Sequence, residues 1–201
     1  MTRLVARVAA SALLCACASV TPARAQLLAT AHPVTYQLDP AHTGAMFEVR
    51  HFGTSTLRGI VGPMTGEVTI DRGAHTGDLR LRIPMTTLNT GVPALDARLK
   101  KPDLLAVGEY PEAYFLATHF KFDADGGVQE VRGEFIVRGV SQPLSLFARH
   151  FACRRDDRLA REVCGGDFVG DLKRSDFGAN FGVPFVADDV HLVVQVEAVA
   201  P

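Results

Sequence analysis

The sequence predicts an all-β fold: antiparallel strands closed into an eight-stranded barrel, with one short helix between strands of the first half. Three observations predict it. Apolar residues recur at every second position through most of the chain after residue 34, as in strands with one sequestered face. The alternating stretches follow one another across short breaks rich in Gly, Pro and Asp, so strands adjacent in sequence are expected to pair. Only residues 93–100 carry a convincing helical pattern. A strand series of this kind removes its open edges by closing, and a barrel of eight holds one small or slender ligand.

Taken in order, residues 34–38 start the first strand, and Asp39, Pro40 and Gly44 mark a turn. In strand 45–52, Ala45, Phe47, Val49 and His51 share one face, against Met46, Glu48, Arg50 and Phe52 on the other. Which face looks inward is left open at this level. Residues 59–70 read as one extended run whose glycines, Gly59, Gly62 and Gly66, mark a sharp bend or the close approach of another body. Residues 78–85 follow as a half-buried strand. Pro93 stands at the helix start with Leu95 and Leu99 one turn apart, and this lone helix is expected to cover a sheet end. The second half returns to period two in 114–122, 127–139, 143–151, 166–173 and 189–199, with a hairpin turn at 123–127.

The first 25 residues place Arg3 and Arg7 before an apolar core and end on Ala23-Arg24-Ala25, the form of a secretory signal cut after Ala25. Residues 26–33 read as a flexible leader and 34–199 as one domain, with a periplasmic destination. The chain has 21 Lys+Arg and 22 Asp+Glu; the signal removes three Arg and no acid, leaving 18 against 22 and a net charge of −4. A mildly acidic chain without a basic block argues against nucleic acid as a partner. Cys153 and Cys164 are the two cysteines outside the signal; they flank a charged stretch that reads as an exposed loop tip, and they are expected to form a disulfide rather than a metal or redox pair.

Chemistry-bearing motifs are sparse. The chain has no G-x-S-x-G, H-E-x-x-H, Walker loop, G-x-G-x-x-G or C-x-x-C, and its seven histidines include no i,i+2 or i,i+4 pair. His42 and His51 stand out because they bracket the strand 45–52. Arg174 and Asp176 admit two readings: an ion pair that holds a tight loop, or a pair that positions a polar ligand head at a barrel mouth.

The motifs in their order resemble the YceI-like family of exported lipid-binding proteins. The resemblance rests on Y-x-L-D-x-x-H-T at 36–43, F-x-V-x-H-x-G at 47–53, and Gly59. It continues through Asn89-Thr90, Arg98, Tyr110-Pro111 with Phe115, Gly133, Gly139-Val140 and R-S-D-F-G at 174–178. Thr43 stands where the family usually has Ser. The resemblance implies an elongated, lipocalin-like barrel that encloses a polyisoprenoid or other long-chain lipid without catalysis, metal or cofactor. It marks His42, Arg174 and Asp176 as the polar positions at a head group or mouth. The expected ligand-binding positions are Phe47, Val49 and His51 from the motif strand, with Leu81, Ile83, Phe135, Val137, Leu146 and Leu192 from the purer apolar faces. Chain length, head group, delivery partner and oligomeric state, a homodimer included, stay open, as does a transient contact with a membrane or membrane protein. Two rival readings are an enzyme acting on an isoprenoid quinone or lipid, with His51 or Asp176 as acid or base, and a structural or stress-related barrel without cargo.

Overall fold

The structure is a computed structural model and describes residues 32–201. The signal segment 1–25, its cut after Ala25 and residues 26–31 of the leader lie outside the described residues. The described residues form ten strands: β1 (Val34–Leu38), β2 (Gly44–His51), β3 (Ser55–Val61), β4 (Thr65–Asp71), β5 (Thr76–Pro84), β6 (Glu112–Phe122), β7 (Val128–Val137), β8 (Val140–Asp156), β9 (Arg161–Lys173) and β10 (Val186–Val199). One helix, α1 (Pro93–Leu99), and two 3-10 turns, Met85–Thr87 and Arg174–Phe177, complete the order.

Eight strands close the barrel. The ladder runs β1-β4-β5-β6-β7-β8-β9-β10, and β1 pairs again with β10 through Gln37↔Val199 and Leu38↔Ala198. The hairpin β2–β3 is extra: it adds to the earlier part of β10, with Val190 opposite Val49 and Leu192 opposite Phe47. Residues 59–70 are therefore two strands, β3 and β4, rather than the single bent run that the glycines suggest. Pro63 has no N–H for a ladder, so pairing stops at 62–64, where Met64 N–H instead donates to Thr43 O at 3.0 Å. Past this break β4 pairs with β5, whereas β3 pairs with β2. β3 also meets residue 89 through an Ile60↔Asn89 bridge, and the segment that follows carries α1.

The cysteines also differ in setting from the expected loop tip. Cys153 and Cys164 face each other within the β8–β9 ladder, and the pairing continues past them to Asp156↔Arg161. Polar residues alternate along both strands here, so the charged stretch pairs as a hairpin instead of looping out. The disulfide forms, with both cysteines buried. Closing a loop of this size contributes about 3 kcal/mol in the chain-entropy model. Arg72 lies against it: Nη2 is 2.7 Å from Cys153 Sγ and 3.0 Å from Cys164 Sγ, while Nη1 donates to Glu162 Oε1 at 3.0 Å. Tyr36 Oη donates to Glu162 Oε2 at 2.9 Å, and burial pushes its hydroxyl up to about 12. These polar groups lie with the buried Leu38, Ile70, Val128 and Ala198 at the lower end of the barrel.

Candidate ligand cavity

The upper barrel encloses a cavity of ≈ 180 Å³. Strand alternation builds its wall. Phe47 and Val49 come from β2, Leu81 and Ile83 from β5, Phe135 and Val137 from β7, Leu146 from β8 and Leu192 from β10. Ala45, Phe47 and Val49 of one β2 face line the cavity, and Met46 of the other face reaches it as well, while Phe52 is 59% exposed. Gly59 makes room for Phe47: the two are opposite in the β2–β3 ladder, and a Cβ at residue 59 would lie 2.3 Å from Phe47 Cζ. The helical segment supplies the cover through Leu88, Leu99, Leu104 and Leu105, as expected of a lone helix at a sheet end.

His51 stands apart from the other expected wall positions. It ends β2 and is not among the cavity-lining residues; its ring packs edge-on against Phe52 at 4.7 Å.

The three polar positions do not come together. Arg174 borders the cavity, but its guanidinium is engaged with the backbone around the 3-10 turn. Nε donates to Ala187 O at 2.9 Å, Nη2 to Val186 O at 2.8 Å, and Nη1 to Phe181 O at 2.9 Å and to Ala179 O. Burial lowers its pKa from the ordinary arginine value. Asp176 is exposed and enters through its backbone, whose O accepts from Gln142 Nε2 at 3.1 Å. The carboxylate that serves the turn is Asp188, accepting from Ser175 N at 2.8 Å and Ser175 Oγ at 2.6 Å. The expected Arg174–Asp176 loop pair is therefore replaced by a clamp on carbonyls. An arginine with five fixed donors suits that task.

His42 lies far from this turn. Its main-chain O accepts from Gln195, and its ring is 3.9 Å from Glu197, whereas Arg174 binds Val186 and Ala187. The strand rise puts about 25 Å between these two parts of β10. His42 Nδ1 instead pairs with Asp39 Oδ2 at 2.6 Å, and the pair raises the histidine pKa and lowers that of the carboxyl. Asp39, His42 and Glu197 bring donor atoms within 4.8 Å of one another on the surface.

Sequence reasoning did not find Arg138. Its Nη1 donates to Gly178 O at 2.7 Å and its Nη2 to Pro102 O at 2.9 Å, tying the Arg174 turn to the segment after α1. Arg98 adds a second tie by lying 4.1 Å over the Phe181 ring. Phe177 lines the cavity beneath them, edge-on to Phe135 at 5.7 Å.

Residues 36–198 match the family model for the YceI-like domain. The chain belongs to the YceI-like family. The protein YceI of Escherichia coli is 28% identical over 167 residues, which cover 82% of this chain and 86% of the relative. Among solved structures, Burkholderia cenocepacia BcnA superposes with a TM-score of 0.66 at 17% identity, over 80% of this chain and 99% of that one. A Saccharophagus degradans domain described as polyisoprenoid binding gives a TM-score of 0.57 at 16% identity, over 84% of this chain and 99% of that one. At such identities these two likenesses speak to the fold. Among the described residues no helix is long and apolar enough to cross a membrane.

Proposed function

We propose that this YceI-like protein is an exported, periplasmic, non-catalytic binder that shields a polyisoprenoid or similar long-chain lipid from water inside its barrel. The observation that carries the reading is the cavity wall, apolar throughout apart from Arg174, with that guanidinium turned to backbone carbonyls. Each methylene moved from water into such a wall contributes about 0.8 kcal/mol, so even part of a chain is held without polar contacts. A bilayer offers the same chain a comparable gain, which suits transfer or buffering. The signal-like segment 1–25 supports export, and the polyisoprenoid-binding description of the Saccharophagus domain supports the ligand class.

One observation favours a barrel without cargo. At ≈ 180 Å³ the cavity is smaller than the ~300–1,000 Å³ of pockets for drug-sized ligands. Organic extraction separates the two readings. Lipid is expected in extracts of the wild type and absent from folded Ile83→Asp and Val137→Asp variants, whose carboxylates would enter the wall. Equal lipid content in all three would exclude the interior as the binding place.

A further inference from the structure

A second, smaller cavity of ≈ 60 Å³ lies in the barrel interior, lined by Leu38, Ile70, Val128, Phe168 and Val196 among others. The two cavities share four wall residues: Leu81 on β5, Phe115 on β6, Leu146 on β8 and Val194 on β10. All four are buried, Phe115 to 1% exposure. They form a waist across the tube.

The strands beside the waist approach closely because two positions lack a side chain. A Cβ at Gly66 on β4 would lie 2.0 Å from Arg80 O and 3.1 Å from Leu81 Cα. A Cβ at Gly170 on β9 would lie 2.6 Å from Ser145 O and 2.9 Å from Leu146 Cδ2. Glycine at these places therefore lets β4 press on the Leu81 position and β9 on the Leu146 position. Phe115 is the largest of the four, and it is backed edge-on by Phe135 at 6.5 Å, which is in turn backed by Phe177. The bulkiest waist residue is thus braced by an aromatic series reaching the Arg174 turn.

We propose that the Leu81–Phe115–Leu146–Val194 waist is a length stop: a bound chain ends against Phe115 in the upper chamber, and the lower chamber stays out of its reach. The inference rests on the lipid-binding reading and adds the residues that select chain length within it. The ligand class it selects is an isoprenoid chain whose apolar end is short enough to seat in the upper chamber.

The test offers the purified, delipidated protein an equimolar ladder of isoprenoid alcohols, from farnesol upward in single-isoprene steps, and reads the retained lengths by native mass spectrometry. Wild type is expected to show a sharp upper cut-off. Phe115→Leu and Leu146→Ala open the waist from two different strands and should move the cut-off to longer alcohols, by about fourfold in affinity for each further methylene seated. Leu116→Ala removes a side chain from the exposed outer face of β6, next to Phe115 in sequence, and should leave the cut-off in place. An unchanged cut-off in both waist variants, with binding intact, overturns the length stop and leaves the lipid-binding reading standing. A shift of the same size in Leu116→Ala also overturns it. Retention of no alcohol by the wild type overturns both readings together.

Discussion

Arg174 Nε donates to the carbonyl oxygen of Ala187 at 2.9 Å, and this bond joins the turn after β9 to the start of β10. Together with the bonds to Val186, Phe181 and Ala179, it commits the guanidinium to the backbone of the cavity rim. Arg174→Gln should then cost about 2–4 kcal/mol of stability, because several carbonyls lose a charged donor at once. Chemical denaturation measures this directly. A head-group role would appear instead as altered ligand preference at unchanged stability.

Gly59→Ala tests the seat of Phe47. The new methyl would stand 2.3 Å from Phe47 Cζ and 2.5 Å from Cε1, so the ring has to move, and the space beside it is the cavity. Overpacking of this kind costs about 1–3 kcal/mol. The variant should stay folded and retain less lipid per mole in quantitative extraction; undiminished lipid content would show that Phe47 has another place to go.

The Asp39–His42 pair predicts a pH window at the surface. His42 has its folded pKa raised above 6.5 by the bond and charge of Asp39, so its contribution is complete below 6.5 and lost as pH rises through the folded value. Asp39 has its folded pKa lowered below 3.8, chiefly by the same bond, so its contribution is complete above 3.8 and lost as pH falls through the folded value. Both are present between about pH 4 and 6.5. NMR titration should find the His42 midpoint above the usual histidine value and Asp39→Asn should bring it down. A midpoint that ignores Asp39→Asn would mean that the pair does not persist in solution.

Period two made much of this molecule readable from its residues. Leu81 with Ile83 and Phe135 with Val137 were expected to share inward faces, and both pairs do line the upper cavity, because alternation along a strand leaves few other arrangements. His51 obeys the same alternation yet misses the cavity walls, since periodicity assigns a face and says nothing of where a strand ends. The split between β3 and β4 was hidden for a related reason: Gly62 and Pro63 read equally well as a bend in one strand or as a break between two. The rim was the least legible part. Asp188 sits beside Asp189 with no motif to single it out, and Arg138 reaches Gly178 and Pro102 across distances of 40 and 36 residues. Such contacts depend on tertiary placement, which a local pattern does not encode.

Native mass spectrometry of the protein purified from its native cells tests the central claim most directly. The account predicts a bound, extractable lipid mass on the wild type, an isoprenoid series separated by single-isoprene increments, and loss of that mass from folded Ile83→Asp. A wild-type spectrum containing only the bare chain, with no lipid in the matching organic extract, would contradict it.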